Sequence, residues 1–408
     1  MPKFHDRLRP ARRRPVWGLL AVLATVALAA CGGSSSGAEP SGSGPGFGTG
    51  SGTGSGKETV TDVLGRKVEV PVPAQRVLLD GGRLLYTTSL LNKANPLEHI
   101  VGMPADLEQN DPDTLNEFRK KFPDIDKIQR IGDVWDGSFS LEAVLKLRPD
   151  VFFLSASSYQ AAMDAGIVDR LQKVGVPTVA VDYFDDPLKN TVPSVRLMGT
   201  VLGKTTEAEA FATYYESAVG TVRSRLDAAK QPPTPTLLWR APGYFDCCSS
   251  FSKSNLAELV TFAGGKNLAD EILKTPQGTI SPETVLTRNP DVIIATGANW
   301  VPGTPAKPGT FVPLGYDETP AKASAQLASI VHKQAGFDQL KAVRAQRTYV
   351  VWHHFYDSPY NFLAIQWFAK WLHPDLFKDI DPDVAIRELH EKFLPLPYRG
   401  TFWSELPR

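Results

Sequence analysis

The chain has 408 residues, of which 42% are hydrophobic and 22% are charged, with 44 basic and 44 acidic side chains. This length is too great for one hydrophobic core and suits two, and no internal apolar stretch is long enough to cross a bilayer. Without residues 1–30 the chain keeps 38 basic and 43 acidic residues, a balance that gives no indication of nucleic-acid binding.

The first thirty residues have the features of a secretory signal. Six basic residues precede an apolar run over residues 16–30, which ends in Leu28-Ala29-Ala30-Cys31. A cysteine directly after small residues resembles the lipobox of bacterial lipoproteins, in which the thiol is lipidated and two acyl chains give a stable anchor. We predict a signal peptide over residues 1–30 and a lipid anchor at Cys31, on the outer face of the bacterial cell membrane. The alternative is an ordinary signal with an incidental cysteine, and the export route, Sec or twin-arginine, stays open.

The next segment has the composition of a linker. Residues 32–57 are almost entirely Gly, Ser, Thr, Pro and Ala, which cannot bury enough apolar surface to fold. We therefore assign residues 31–57 to the lipidated cysteine and a flexible tether.

An internal repeat organises the rest of the chain. Residues 140–151, Ser-Leu-Glu-Ala-Val-Leu-Lys-Leu-Arg-Pro-Asp-Val, match residues 281–292, Ser-Pro-Glu-Thr-Val-Leu-Thr-Arg-Asn-Pro-Asp-Val, at 7 of 12 positions. Each copy predicts a helix with a serine N-cap and a glutamate in its first turn, then a proline that ends the helix and a buried strand. A second match joins residues 169–174 and 338–343, and its two members lie farther apart in the sequence than those of the first match. The second copy therefore contains an insertion, which we place at residues 300–328 and expect to be a long loop beside a cleft.

The alternation of helices with short apolar strands predicts parallel α/β lobes, and the two copies predict two lobes. We assign residues 58–190 to an N-terminal lobe, residues 191–235 to the segment with the interlobe helix, and residues 236–408 to a C-terminal lobe.

The segment between the lobes predicts one long helix. Apolar residues recur at steps of three and four from Thr206 to Ala229, and Thr206 forms a capping-box pattern with Glu209. The position of this helix suits a spine that joins the lobes.

Several motifs resemble one family of proteins. Residues 59–68 and 75–77 look like the opening of the siderophore, haem and cobalamin binding proteins of ABC importers, and residues 259–267 resemble the second-lobe Gly-Gly-x-Asn signature of that family. The two Ser-x-Glu…Pro-Asp-Val units resemble its paired lobe motifs. The resemblance extends from residue 58 to about residue 395. It implies two Rossmann-like parallel-sheet lobes, joined by one long interlobe helix, that close modestly on a ligand.

The same resemblance implies a role for Glu142 and Glu283, which match the glutamates that dock on arginines of a permease dimer. The alternative is that each glutamate only stabilises the start of its own helix, by about 0.3–1 kcal/mol. Their equivalent positions in the repeat favour docking.

The ligand is expected beyond the carboxyl ends of the strands, where parallel α/β lobes bind ligands. The loops at these ends are rich in aromatic residues and contain one arginine candidate in each lobe. We predict the ligand-binding residues Arg83, Tyr86, Trp135, Tyr159, Tyr183, Arg240, Tyr244, Trp300, His353, His354 and Tyr356. The two arginines suit the anionic oxygens of a chelate, and the aromatic rings suit its apolar edges. The alternatives are a solvated arginine, a local salt bridge and an aromatic residue of the lobe core.

The two adjacent histidines follow a predicted strand. Side chains alternate along a strand, so at most one of His353 and His354 is expected to face the cleft easily. That histidine could complete iron coordination, ligate haem, hydrogen-bond a chelate or be a satisfied interface residue. We see no set of three or more converging His and carboxylate ligands, so bare zinc or manganese transport is not expected. Cys247 and Cys248 form either a vicinal disulfide or two buried thiols.

A ferric siderophore is the predicted ligand, and no intrinsic cofactor is expected. Haem and cobalamin are alternatives, as is a membrane-tethered sensor or relay protein with this fold but no transport role. The sequence contains no Gly-x-Ser-x-Gly elbow, phosphate loop or zinc-protease motif, so we do not expect an enzyme. The expected partners are an ABC permease dimer, the iron chelate and, through Cys31, the lipid membrane. We expect a monomer.

Replacement of Cys31 by Ala tests the lipid anchor. We expect the variant protein to leave the membrane fraction, because the acyl chains that hold it would no longer be attached. Membrane fractionation with mass spectrometry of the N-terminal peptide measures this, and Ser34→Ala is the matched control. Membrane retention of the Cys31→Ala protein, or an unmodified Cys31 in the wild type, would contradict the prediction.

Overall fold

The computed structural model describes residues 56–301 and 310–408. The predicted signal peptide, Cys31 and nearly all of the tether lie outside these ranges. Within them, no helix combines the length and hydropathy that a membrane span needs.

The N-terminal lobe is built on a parallel sheet. Its strands are β1 (Gly56–Thr61), β2 (Lys67–Val72), β3 (Val77–Leu79), β4 (Ile100–Met103), β5 (Gln129–Arg130), β6 (Val151–Ser155) and β7 (Thr178–Val181). The first two form an antiparallel hairpin, and the other five form a parallel sheet in the order β5-β4-β3-β6-β7. Strand β3 and the first four residues of β6 are apolar and buried, as expected for a parallel sheet that is covered on both faces.

Helices cover this sheet and lead to the second lobe. They are α1 (Leu85–Leu91), α2 (Asp106–Asn110), α3 (Pro112–Lys121), α4 (Leu141–Lys146), α5 (Ala156–Asp164), α6 (Ile167–Lys173), α7 (Pro187–Val201) and α8 (Thr205–Ala229). Two short 3₁₀ helices, Gly82–Leu84 and Pro123–Lys127, lie between them.

The C-terminal lobe repeats this architecture. Its strands are β8 (Thr234–Trp239), β9 (Ser249–Phe251), β10 (Gly265–Asn267), β11 (Gln277–Thr279), β12 (Val292–Gly297), β13 (Thr348–Trp352) and β14 (Trp403–Glu405). The main sheet has the order β10-β8-β12-β13-β14, and every neighbouring pair is parallel except that of β13 with β14, which comes from the end of the chain. Strands β9 and β11 form a separate antiparallel pair.

The helices of the C-terminal lobe are α9 (Leu256–Phe262), α10 (Ala269–Ile272), α11 (Pro282–Arg288), α12 (Pro320–Lys333), α13 (Lys341–Arg344), α14 (Asn361–Leu372) and α15 (Pro382–Phe393). The 3₁₀ helices are Phe337–Gln339 and His353–Asp357. The predicted fold class, two α/β lobes with parallel sheets and one long helix between them, is confirmed.

The sequence repeat corresponds to a structural repeat. Ser140 Oγ accepts a hydrogen bond from the backbone N–H of Ala143 at 3.3 Å, and Ser281 Oγ accepts one from Thr284 at 3.2 Å. Both serines are therefore the predicted N-caps, of α4 and α11. Strand β6 lies between β3 and β7 just as β12 lies between β8 and β13.

Helix α8 is the predicted interlobe helix, although its start differs from the prediction. Lys204 is the N-cap and makes no side-chain capping hydrogen bond, so the capping box of Thr206 and Glu209 does not form. Glu209 instead accepts a hydrogen bond at 2.8 Å from Arg196 of the neighbouring helix α7. The segment assigned to residues 191–235 is thus shared among α7, α8 and the first residues of β8.

The insertion of the second copy is not a loop throughout. The side chain of Thr319 caps helix α12, which begins at Pro320, so the end of the predicted loop 300–328 is helical. Threonine at the N-cap and proline at the first helical position are a helix-start signal that the Pro- and Gly-rich composition of the region concealed.

Described residues on either side of residues 302–309 contact the N-terminal lobe. Asp113 of α3 accepts hydrogen bonds from Asn299 Nδ2 at 3.0 Å and from the backbone N–H of Asp317 at 3.2 Å. The backbone N–H of Val301 donates to the carbonyl of Gln109 at 3.1 Å. These bonds strap the two lobes together beside the cleft.

The two lobes also share one hydrophobic core. Buried apolar residues of both sheets and of α8 and α14 form a continuous cluster, in which the ring of Phe211 lies 6.2 Å from that of Phe362 and 5.5 Å from that of Phe393. Exposing apolar surface costs roughly 25 cal/mol per Å², so a wide separation of the lobes is unfavourable.

One buried asparagine links the helices at this junction. Asn361 of α14 is fully buried, accepts a hydrogen bond from the hydroxyl of Tyr215 at 2.8 Å and donates one to Thr191 Oγ1 at 2.8 Å. Tyr215 belongs to α8 and Thr191 to α7, so this one side chain joins both lobes and the helix between them.

Replacement of Asn361 by Leu tests this link. We expect a free energy of unfolding lower by about 1–3 kcal/mol, because two buried hydroxyls lose a partner. Urea unfolding followed by circular dichroism measures the loss, and Asn116→Leu at an exposed position of α3 is the control. Equal stability of the Asn361→Leu and wild-type proteins would show that the link contributes nothing.

Candidate ligand-binding cleft

A cavity lies between the lobes, at the carboxyl ends of their strands. Its volume is about 100 Å³. It is lined by Arg83, Asn110, Arg240, Tyr244, Phe245, Trp300, His353, His354 and Tyr356. Seven of these nine residues were predicted from the sequence. Each lobe contributes one arginine.

Arg83 connects the two lobes. It lies in the 3₁₀ helix after β3, and its Nη1 donates to the hydroxyl of Tyr356 at 2.6 Å while its Nε lies 3.0 Å from Asp357 Oδ2. Burial acts against the charge of the guanidinium, yet Tyr356 and Asp357 together raise the pKa of Arg83. Arg83 is therefore a charged, paired group at the wall of the cavity.

Arg240 follows β8, the strand equivalent to β3, but its surroundings differ. Its Nη1 donates to Gln277 Oε1 at 2.8 Å, its Nε is buried without a hydrogen-bond partner, and its guanidinium lies 4.3 Å from the ring centre of Phe245 and 4.9 Å from that of Phe251. Burial lowers the pKa of Arg240, although an arginine remains protonated at neutral pH. It makes no ion pair with any carboxylate in the described part of the chain, so this cation lacks a counter-ion.

Both histidines line the cavity, and the prediction that at most one would face it is wrong. Strand β13 ends at Trp352 and the chain turns into the 3₁₀ helix His353–Asp357, where the alternation of a strand no longer applies. Burial lowers the pKa of His353 well below its ordinary value and that of His354 to about 3. Both imidazoles are therefore neutral near pH 7.

The histidines differ in their hydrogen bonds. His353 Nδ1 lies 2.8 Å from Thr296 Oγ1, which also accepts a hydrogen bond from the backbone N–H of Ala241. Neither ring nitrogen of His354 makes a hydrogen bond of good geometry within the described ranges. The cleft thus offers neutral nitrogen atoms beside two guanidiniums.

Aromatic rings form the remaining wall. Trp300 lies 4.8 Å from Tyr244 and 5.3 Å from His353, and His353 lies 4.5 Å from Tyr356, all measured between ring centres. These rings pack at tilted and edge-to-face angles, and aromatic side chains present a large contact surface at low entropic cost.

A resident metal ion does not fit these surroundings. Within residues 56–301 and 310–408 no group of three or more His, Cys, Asp and Glu side chains is arranged to hold one. Two guanidiniums at the same wall also repel a bare cation. A metal could be accepted here within an anionic complex, whose charge the arginines would attract.

Four predicted ligand-binding residues lie outside the cavity. Tyr86 is buried at the lobe junction, where its hydroxyl donates to Asp111. Tyr159 is on an outer groove under the guanidinium of Arg66, and Tyr183 is buried in the lobe core. Trp135 is 63% exposed on a loop after β5.

Local turns explain why Tyr183 points away from the cleft. The side chain of Asp182 accepts backbone N–H hydrogen bonds from residues 184, 185 and 186 at 2.8–3.0 Å, which turns the chain directly after β7. Its neighbour Tyr183 is thereby directed into the core, where its hydroxyl lies 3.8 Å from Met198 Sδ.

Two lining residues were missed. Asn110 is the last residue of α2, which follows β4, and no binding residue was predicted after that strand. Phe245 directly follows the predicted residue Tyr244. Its place in the same loop and its aromatic ring were the features that could have predicted it as a lining residue.

The cysteine pair lies behind this aromatic wall. Cys247 and Cys248 form a vicinal disulfide, which decides between the two alternatives left by the sequence. Cys247, Tyr244 and Phe245 also line an outer groove of about 490 Å³, so the loop of residues 243–247 separates that groove from the cavity.

The two repeat glutamates lie away from the cavity. Glu142 is exposed on α4 and pairs with Lys146 at 2.7 Å, and Glu283 is in the first turn of α11. Neither is among the lining residues.

Comparisons with known proteins agree with this architecture. A family model described as periplasmic binding protein matches residues 102–351. The crystal structure of the TroA-like periplasmic binding protein FepB from Veillonella parvula has a TM-score of 0.78 and 28% sequence identity, and the match covers 86% of this chain and 99% of that chain.

Two sequence relatives are more distant. The uncharacterized ABC transporter substrate-binding lipoprotein YvrC of Bacillus subtilis (strain 168) is 20% identical over 268 residues, 65% of this chain and 74% of its own length. The vitamin B12-binding protein of Yersinia pestis (strain Pestoides F) is 26% identical over 174 residues, which is 42% of this chain and 56% of that relative.

Proposed function

The chain belongs to the periplasmic binding protein family, and we propose that it is a lipid-anchored protein that captures a ferric siderophore, an anionic iron chelate, for an ABC importer. Members of this family are extracytoplasmic solute-binding proteins that work with a membrane transporter. The siderophore, the lipid anchor and the docking residues are the parts that we add here, and we propose no catalytic step.

Arg240 is the observation that carries the ligand assignment. It is a partly buried cation whose Nε is buried, it has no carboxylate partner in the described ranges, and it lies at the wall of the cavity between the lobes. A buried charge is costly unless it is paired, so the site favours a ligand that supplies an anion. The catecholate or carboxylate oxygens of an iron chelate meet this requirement.

The size of the cavity limits how the chelate binds. A volume of about 100 Å³ is only a few times that of one water molecule, which is about 30 Å³ in the liquid. With the lobes in this arrangement only the charged part of a chelate fits between them. A whole siderophore therefore requires an opening of the cleft.

Haem and cobalamin are the competing ligands. Haem would use its propionates on the arginines and a neutral histidine or Tyr356 on its iron, and the similarity to a vitamin B12-binding protein supports cobalamin. Cobalamin does not require an unpaired arginine, which is why we favour the anionic chelate. Protein purified from its own host would show a Soret band with haem and a broad visible charge-transfer band with a ferric siderophore.

The membrane side of the proposal rests on two features. The lipobox-like Leu28-Ala29-Ala30-Cys31 and the tether would place the folded body beside a membrane, and YvrC, a relative, is described as a lipoprotein. Glu142 and Glu283, at equivalent first turns of α4 and α11, would dock on a permease. A sensor or relay protein that works without a transporter would not need Glu142 and Glu283 as docking residues.

Replacement of Arg240 by Ala tests the ligand assignment. We expect the affinity for an anionic ferric tricatecholate to fall about 10- to 150-fold, the range for losing a hydrogen bond to a charged group. Quenching of tryptophan fluorescence measures it, since Trp300 lines the cavity. Arg225→Ala, at a surface ion pair with Asp379, is the control. Equal affinity of the Arg240→Ala and wild-type proteins would leave a neutral ligand such as cobalamin as the better hypothesis.

Charge reversal of Glu142 and Glu283 tests docking. The double variant Glu142→Lys and Glu283→Lys is expected to abolish uptake of labelled iron chelate by cells while the purified protein keeps its affinity, because both residues lie outside the cavity. Glu58→Lys with Asp375→Lys, at exposed positions of the two lobes, is the control. A loss of affinity in the purified Glu142 and Glu283 variant would assign these residues to ligand binding instead.

A further inference from the structure

The two cleft arginines are not equivalent, although the repeat places them alike. Arg240 has no carboxylate partner among the described residues, whereas Arg83 Nε lies 3.0 Å from Asp357 Oδ2. Only 22% of the Arg83 side chain and 19% of the Asp357 side chain are exposed. One of the two positive charges at the cavity is therefore already neutralised from within the protein.

We propose that Asp357 is an internal competitor of the ligand, whose carboxylate occupies Arg83 until an anionic group of the ligand displaces it. This inference rests on the proposed function and narrows its ligand class. The cleft selects a ligand with two separate anionic groups, one for the unpaired Arg240 and one that replaces Asp357 on Arg83. A ligand with one anionic group would bind at Arg240 and leave the internal pair intact.

The position of Asp357 makes its carboxylate replaceable. Arg83 is its sole ion-pair partner in the described part of the chain. Burial raises the pKa of Asp357, and the nearby carboxylates of Asp182 and Asp106 act in the same direction against the attraction of Arg83. The negative charge of Asp357 thus lies in surroundings that disfavour it, and a solvent-facing position after displacement would relieve that cost.

The same contact links ligand binding to the closure of the lobes. Arg83 belongs to the N-terminal lobe, and Asp357 ends the 3₁₀ helix of the C-terminal lobe that carries His353 and His354. Beside it, Asn255 Nδ2 donates to the carbonyl of Tyr356 at 2.7 Å and to that of Phe184 at 2.8 Å, a second bridge between the lobes. If the ion pair between Arg83 and Asp357 is lost, the neutral hydrogen bonds of Asn255, which are weaker than an ion pair, still bridge the lobes at this point. An incoming polyanion therefore loosens the cleft here as it binds.

The substitution Asp357→Asn removes the competing charge while it keeps the side-chain volume. The probes are the ferric complexes of a hexadentate tricatechol chelator, which is anionic, and of a hexadentate trihydroxamate chelator, which is uncharged. We expect Asp357→Asn to bind the tricatecholate about tenfold more tightly than the wild type, because a charged hydrogen bond no longer has to be broken. The trihydroxamate affinity is expected to stay unchanged.

The arginine provides the internal check. In an Arg83→Ala background the Asp357→Asn substitution is expected to give no gain in tricatecholate affinity, because Asp357 then has no arginine for which to compete with the ligand. Asp379→Asn, which breaks the exposed pair with Arg225, is the matched control and is expected to change neither affinity. Weaker tricatecholate binding by Asp357→Asn, or the same gain with and without Arg83, would overturn the inference.

A measurement without ligand separates this inference from the proposed function. Hydrogen exchange of the ligand-free protein is expected to be faster in residues 82–84 and 353–357 of both Asp357→Asn and Arg83→Ala, and unchanged there in Asp379→Asn. If the wild type bound neither chelate, the siderophore assignment would fail while faster exchange still supported the internal pair. Wild-type exchange rates in both variants would overturn the internal pair, whichever chelate binds.

Discussion

Arg240, a partly buried guanidinium that pairs with no carboxylate among the described residues, is the constraint on which the proposed function depends. Arg240 lies between the rings of Phe245 and Phe251 with its Nε unpaired, in surroundings that lower its pKa. An unpaired charge in partly buried surroundings is costly, and under the proposed function an anionic ligand would offset that cost. The protein maintains this cost because its other interactions, above all the shared core, hold the lobes in place around it.

The shared core explains why the cleft has little freedom. Helix α8 packs against both lobes, Asn361 hydrogen-bonds to α7 and α8, and Asn299 and Asp317 each hydrogen-bond to Asp113 of α3. These links lie on several sides of the cavity. Under the proposed function the lobes would open slightly at the wall formed by Arg83 and the 3₁₀ helix His353–Asp357, where Arg83 makes polar contacts with Tyr356 and Asp357.

The positions of the site residues follow from a general property of parallel sheets. Every strand of such a sheet ends at the same edge, so loops far apart in sequence meet there. As this rule predicts, Arg83, Arg240 and Trp300 line one cavity, whereas the second of the two histidines there was not expected. The rule failed for Tyr183, because the turn made by Asp182 reverses the side chain, and such a turn depends on hydrogen bonds that a strand pattern does not reveal.

The sequence by itself determined the two α/β lobes, the long helix between them and the capped helices of the repeat, because hydrophobic periodicity and N-cap chemistry act over a few neighbouring residues. Only the tertiary structure decided which groups are paired. Arg83 and Arg240 occupy equivalent places in the repeat, yet Asp357, 274 positions from Arg83 in the sequence, neutralises one and no carboxylate in the described ranges neutralises the other. Tertiary structure also decided the position of His354, which lines the cavity because the chain turns into a 3₁₀ helix directly after Trp352. The pairing of a charge and the pKa of a ring nitrogen depend on residues that are distant in the sequence. Only folding brings those residues within a few ångströms of the group.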